Sequence, residues 1–467
     1  MSRDTAISLA TGSIESGAFR NDLARRVAFP TESQDPDRKP VLIQYLDEEL
    51  GPSFEAMGFD WATRIHEGWP FLVAERMEDP ARPTVLCYGH GDVVYGMEGD
   101  WADGLSPWDL HEISGRWYGR GVADNKGQHT VNMTALDAVL RTRGRLGFNA
   151  KFLFEMSEEV MSPGLHSFAA LHRSELAADV FIASDGPRLS AERPTLFLGS
   201  RGALSFDIWI DAREGGHHSG NWGGLLSDPA TQLAHAIASI CGPKGEIHVP
   251  EWLPDGIPPS VRKALEDCAI ETPPDGPQID PDWGQPGLSA AEKLCAWSSF
   301  CVLAFEAGNP KAPVGAIPGR AWARCQLRFV VGVDVDDIVP ALRRHLDAEG
   351  FGYVKVAPAR GGMFRATRLD PDDPWVSWCV ASVERTVGVK PAILPSFGGG
   401  LPNDAFSEVL GLPTIWIPHS YPSCSQHAPN EHLPIAIAEE GLAIMAGLYW
   451  DLGDDDVACP PSDRSPG

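Results

Sequence analysis

No Cys-x-x-Cys pair occurs in the chain, and its nine cysteines are scattered through 467 residues. An odd, dispersed set fits a reducing compartment better than a disulfide framework. There is also no run of about 18 apolar residues, so no membrane-spanning helix is expected. The opening stretch MSRDTAISLATGSIESGAF lacks the apolar core of a signal peptide. Together these absences predict a cytoplasmic protein. Positive charge is scarce as well: 38 Lys and Arg against 64 Asp and Glu leave a formal net charge of -26. So acidic a surface argues against nucleic acid and anionic membranes as partners, and it leaves many carboxylates free to meet cations. The glycine-rich stretch 119–127 matches neither G-x-x-x-x-G-K-[ST] nor G-x-G-x-x-G, which disfavours a nucleotide-binding loop.

What is present is an ordinary globular composition, 43% hydrophobic and 22% charged. At roughly 150 residues per domain, the length predicts two or three domains. Four short apolar runs, Thr84 to Tyr88, Ala150 to Phe154, Val180 to Ala183 and Thr414 to Ile417, read as strands buried on both faces. Helical patterns at Val131 to Val139 and Leu165 to Leu171 lie between the first three. The alternation predicts an α/β fold, a mostly parallel sheet with helices on both faces. The texture changes near Arg201. Leu204 to Ile210 alternates like a half-exposed strand, Asp228 and Pro229 open a helix, and Ala321 to Val331 reads as a second strand. Asp334 or Asp336 is placed to cap a helix running to about Ala348, and Tyr353 to Val356 is a last strand. This predicts an inserted α+β layer over 200–366, between catalytic parts 1–199 and 367–467. The stretch 242–313 gives no clear pattern, and the tail after Leu452 reads as disordered.

Polar residues follow each buried run. His90-Gly91-Asp92 comes after the first, Glu158-Glu159 after the second, Asp185 after the third and, past a loop, His427 after the fourth. In open α/β sheets, ligands bind outside the carboxyl ends of the strands. An imidazole can ligate zinc, and Asp92 is spaced to orient it. Asp124, inside Gly119-Arg120-Gly121-Val122-Ala123-Asp124-Asn125-Lys126-Gly127, offers two oxygens that can bridge two cations. Adjacent glutamates can divide labour, one binding metal and the other moving a proton. Alone, each has a plain reading: a buried structural His, an acidic helix start at Glu158-Glu159, a turn at Asp185. His432 stands as an alternative to His427. Taken together, two histidines and three carboxylates plus a spare glutamate form a donor set for two neighbouring divalent ions.

At this point the chain resembles the zinc-dependent metallopeptidases that include carnosinases and other dipeptidases, glutamate carboxypeptidase, aminoacylase-1 and succinyl-diaminopimelate desuccinylase. The resemblance rests on Gly89 to Val94, Gly119 to Gly127, Ser157-Glu158-Glu159, Ser184-Asp185, His217-His218-Ser219-Gly220 and Gln426 to Glu431, in family order from about residue 25 to 450. It implies two zinc (or manganese or cobalt) ions per subunit, one held by His90, Asp124 and Asp185 and the other by Asp124, Glu159 and His427. It further implies that Asp92 orients a ligand and that Glu158 is the general base for a metal-bound hydroxide. His218, carried on a lid that is also the homodimer interface, would stabilise the oxyanion in the partner's site. Arg328 matches a family arginine for the substrate carboxylate, with Asn309 assisting and Gly398-Gly399-Gly400 receiving that carboxylate through backbone N–H groups. A surface strand charge and a plain turn are the competing readings of Arg328 and of the glycines. Tyr95 and Val160 to Pro163 depart from the common pattern and bear on substrate identity. The implied reaction is amide hydrolysis of a dipeptide or C-terminal amino acid with a free carboxylate. Deacylation of an N-acyl or N-carbamoyl amino acid uses the same residues. A non-catalytic metal-binding homologue is the reading of another class, and the intact Glu158 argues against it.

Overall fold

The computed structural model describes residues 2–270, 277–359 and 363–461. Its larger part is an eight-stranded sheet. Four central strands, Asn149–Glu155, Thr84–His90, Val180–Ala183 and Thr414–Trp416, run parallel in that spatial order. An antiparallel pair, Asp60–His66 and Trp69–Arg76, extends one side. On the other side Thr195–Phe197 lies antiparallel to Thr414–Trp416 and carries Ala392–Leu394. Every residue of Thr84–His90 and Asn149–Glu155 is buried. The pleat sends successive side chains to opposite faces. Val85, Cys87, Phe152, Phe154 and Ile182 therefore join one core, while Leu86, Tyr88, Leu153 and Phe181 join the other. Helices Arg3–Glu15, Lys126–Arg143 and Ile435–Leu452 cover the first face and Leu165–Leu171 the second. A strand with an apolar partner on both sides has no place for the usual alternation, which is why these runs are continuously apolar.

Two expectations change here. The helix expected from Val131 begins earlier, at Lys126, and runs to Arg143, so the glycine-rich stretch ends inside its first turn. Only glycine fits at 127, because a Cβ would lie 1.8 Å from the Val122 carbonyl oxygen. The tail past Leu452 is not loose as far as Pro461. Asp454 accepts from the Trp450 indole at 3.2 Å, Asp455 pairs with Arg82, and Cys459 packs on the first core. Residues 462–467 lie outside the described residues.

A second, four-stranded antiparallel sheet is ordered Ser299–Ala307, Arg320–Phe329, Gly202–Asp211, Lys355–Pro358. Helices Pro229–Ile240 and Ile338–Ala348 pack on one of its faces around Phe206, Ile208, Leu233, Trp252 and Leu342. Asp228 caps the first helix through the Ala230 N–H at 3.0 Å. The second starts after Asp337 rather than at Asp334 or Asp336, because the Asp334 carboxylate is taken by the Asp336 N–H in a turn at 3.0 Å. Within 242–313, where sequence patterns are silent, helices Pro259–Leu265 and Ala290–Cys295 form. Their Val261, Leu265, Ala291 and Cys295 pack with Leu394 and Phe406 in the core of the large sheet, not with the small one.

Candidate metal centre and substrate cleft

The carboxyl ends of the parallel strands deliver the site. His90 ends its strand fully buried, with Nδ1 3.1 Å from the Asp92 backbone oxygen. A proton held there leaves the Nε2 lone pair free for a ligand. Nε2 lies 3.1 Å from Asp124 Oδ1 and 3.6 Å from Asp185 Oδ2. The other Asp124 oxygen, Oδ2, is 3.1 Å from His427 Nε2, which is also 3.1 Å from Glu159 Oε2. Two donor groups result, His90–Asp124–Asp185 and Asp124–Glu159–His427, each with its ligand atoms within 4.8 Å of one another. Asp124 belongs to both, one oxygen to each.

Buried acids position this set. Asp92 accepts the backbone N–H groups of Glu158 and Glu159 at 3.2 and 3.1 Å. Glu155 accepts from Tyr88, Ser157 and Ser162 at 2.7, 2.9 and 2.9 Å. It thereby grips both ends of the turn that presents Glu158 and Glu159, a turn in which Met161 and Ser162 sit at φ of 74 and 49. Asn125 Nδ2 donates to the Ser184 carbonyl at 2.8 Å, tying the Asp124 loop to the Asp185 strand end.

Charge in the cluster is one-sided. Burial pushes the Glu158 carboxyl well above the usual carboxylate range, and Glu159 and Asp185 add to it against the pull of His90. Burial likewise lifts Glu159 to about 7 and Asp185 to about 6. Hydrogen bonds to Asp124 and Glu159 hold His427 up at about 11. Glu159 Oε1 is buried without a hydrogen-bond partner. Clustered carboxylates that only two imidazoles can neutralise, together with an orphaned buried oxygen, fit divalent cations bound by nitrogen and oxygen. His432 is not part of the set: its Nδ1 meets the Asn430 carbonyl at 3.1 Å and its ring lies on Tyr118.

The residues expected to receive a substrate carboxylate divide. Arg328 Nη1 reaches the Gly398 carbonyl at 3.5 Å. Arg201, which sequence patterns do not single out, reaches the same oxygen through Nη2 and Nε at 3.0 and 3.2 Å and is almost fully buried. Burial lowers it to about 10, helped by the neighbouring Arg328 charge. A strand-start arginine gives no signal in the linear pattern; only the fold brings it to Gly398. At Gly399 and Gly400 a Cβ would meet the Phe397 and Phe364 rings at 2.4 Å, so neither position has room for a side chain. Asn309 does not join this group. It follows Ala307, which pairs with Ala321, roughly 25 Å along the strand from Arg328. His218 sits at that same far end, in the two-stranded His217–His218 and Ala316–Ile317 ribbon, exposed, with Nδ1 accepting the Gly220 N–H at 3.1 Å.

A mixed α/β sheet carrying this donor set defines a metal-dependent hydrolase. The chain belongs to peptidase family M20/M25/M40, whose family model matches residues 86–451. It is 34% identical over 399 residues to the Beta-Ala-His dipeptidase of Mus musculus, covering 82% of this chain and 80% of that protein. It is 29% identical over 468 residues to a Cys-Gly metallodipeptidase of Schizosaccharomyces pombe, covering 93% and 95%. The crystal structure of human carnosine dipeptidase 1 superposes with a TM-score of 0.75 at 22% identity, covering 96% and 98%, so the fold is shared along the whole chain. The protein is a metallopeptidase of this family.

Proposed function

We propose that the enzyme is a dipeptidase using two divalent ions, zinc or alternatively manganese or cobalt, on small peptides with a free C-terminal carboxylate. The observation that carries this is Asp124, whose two oxygens are divided between two donor groups. The dipeptidase names of the relatives support the substrate class. One ion is held by His90, Asp124 and Asp185, the other by Asp124, Glu159 and His427, with Asp92 orienting His90 and the Glu158 turn. Bound cations supply Lewis acidity, making water acidic near neutral pH and offsetting negative charge on the scissile carbonyl. Glu158, kept proton-avid by burial, takes the proton of the attacking water and returns it to the leaving amine. Arg328 and Arg201, beside the Gly398 to Gly400 backbone, hold the substrate carboxylate.

His218 serves the site of a second copy and donates to the developing oxyanion. Its place at the far end of the small sheet supports this, because within one chain it is remote from Arg328. The assembly is a homodimer, and 200–366, apart from helices Pro259–Leu265 and Ala290–Cys295 on the large sheet, acts as lid between catalytic parts 1–199 and 367–467. The edge strand Ser299–Ala307 supports the dimer: it is exposed, with Val302, Leu303 and Phe305 in solvent, and an unpaired apolar edge is a template for another chain. All nine cysteines are free, which supports a reducing, cytoplasmic setting. Among the described residues no helix is long and apolar enough to cross a membrane.

The test is metal content of the purified protein, with hydrolysis of a mixed panel of dipeptides, N-acyl and N-carbamoyl amino acids before and after chelation. About two metals per chain and chelator-sensitive dipeptide cleavage are expected. Turnover of the acylated amino acids alone makes it a deacylase. No metal and no cleavage after zinc or manganese is restored overturns the enzyme reading of this chain.

A further inference from the structure

Glu431 is buried at 1% exposure and is a member of neither donor group, yet it collects an unusual set of donors. Its Oε1 accepts the backbone N–H groups of Ala123 and Asp124 at 2.9 and 3.0 Å. Its Oε2 accepts the Gly121 N–H at 3.0 Å and the Arg120 guanidinium at 2.9 Å. Its own carbonyl takes the Gly119 N–H at 3.2 Å. One residue thus satisfies four amides of the loop that presents Asp124. That loop has no regular structure between strand Arg116–Tyr118 and helix Lys126–Arg143 to hold it otherwise.

Glu431 also terminates the segment that presents His427. Ser425, His427 and Asn430 there sit at φ of 57, 60 and 63, conformations that non-glycine residues adopt only when their surroundings enforce them. The Asn430 side chain accepts the Ala102 N–H at 2.8 Å, and Glu431 is the next anchor. The spacing between Asp124 Oδ2 and His427 Nε2 is therefore set by a carboxylate that touches neither.

We infer that Glu431 is the positioning residue of the centre, a clamp that fixes the bridging Asp124 relative to His427. The inference rests on the proposed two-ion reading. Gln at this position keeps one acceptor oxygen, but its amide N–H₂ faces two further donors, the Gly121 N–H and Arg120. Leu removes both acceptors. Both remove the negative charge that pairs with Arg120, so the difference between them weighs the one acceptor oxygen that Gln keeps.

The experiment has two arms on the full chain. In the first, hydrogen exchange of the metal-free wild-type protein is followed at residues 119–125. The Gly121, Ala123 and Asp124 amides are expected to be strongly protected although they lie in a loop; exchange at open-loop rates overturns the clamp, and this arm needs no variant to fold. In the second, zinc affinity is measured by competition with a chromophoric chelator for wild type, Glu431→Gln and Glu431→Leu, alongside kcat and KM. Affinity should fall about 10- to 100-fold, the range typical of residues supporting ligands, with Leu worse than Gln and with kcat falling while KM stays close to wild type. Wild-type zinc affinity and kcat in both variants, or a change confined to KM, overturns the role. A wild-type protein that binds none of zinc, manganese and cobalt while its loop amides are protected refutes the two-ion reading and leaves the clamp standing.

Discussion

Glu158 and Glu159 are neighbours in the chain and opposite in task. Glu159 points an oxygen at His427, whereas Glu158 belongs to neither donor group. Replacing Glu158 by Gln removes a proton acceptor without removing a ligand. Metal content should stay at the wild-type value while kcat falls by 10² or more, the usual contribution of a general base; a near-normal rate with both metals bound removes Glu158 from that role. A second residue-scale consequence lies beside the cleft. His166, in the helix after the Glu158 turn, pairs at 2.8 Å with the buried Asp404, just past Asn403 in the loop that begins at Gly398. Its hydrogen bond to Asp404 raises the imidazole above its ordinary value. A raised folded-state value means the folded form binds the proton more tightly. The pair therefore stabilises the fold fully below about pH 6.5, the unfolded value, and the contribution disappears as pH rises through the folded value. Melting temperatures of wild type and His166→Gln should differ at pH 5.5 and converge by pH 9. A gap that is constant or widens with pH counts against the assignment.

Among the elements, legibility followed burial. Strands Thr84–His90, Asn149–Glu155 and Val180–Ala183 were readable because burial on both faces leaves continuous apolar runs, and the site residues were readable because they follow those runs directly. His90, Asp92, Asp124, Glu158, Glu159, Asp185 and His427 converge as their sequence order implied. Arg201 and Glu155 were not singled out, and Glu431 was noted only as the end of a motif, with no role. Their roles are contacts across 197, 67 and 310 positions of chain to Gly398, Tyr88 and Gly121, and no local pattern encodes such distances. Within one chain Asn309 lies far from Arg328 for the converse reason, since proximity in sequence becomes opposite ends of one hairpin once the strands pair. The strand Ser299–Ala307 carries a prediction of its own. Leu303 is 54% exposed on this unpaired edge. A lysine there adds a charge that blocks edge pairing without disturbing a core. Leu303→Lys should keep the wild-type circular dichroism spectrum and run at half the mass of the wild type in sedimentation. A dimeric wild type whose mass the variant retains places the interface elsewhere, and a monomeric wild type overturns the proposed dimer.

At the scale of the whole molecule, acidity and architecture work together. A net charge of -26 repels anions in general, yet Arg201 and Arg328 meet at Gly398 with no carboxylate, among the described residues, as a hydrogen-bond or ion-pair partner. Under the proposed function, a carboxylate-bearing substrate would be drawn to a local cationic point inside a repulsive field, which would favour small, singly charged molecules over polyanions. The packing of helices Pro259–Leu265 and Ala290–Cys295 on the large sheet has a consequence of a different kind. The backbone leaves the large unit near residue 200, returns near 257, leaves again near 298 and returns near 364. The small sheet is thus sewn on with two stitches rather than hung from one loop. Cutting the chain at any single crossing leaves it attached, no contiguous stretch can be excised that contains it alone, and whatever swing it makes over the cleft must bend all four crossings together.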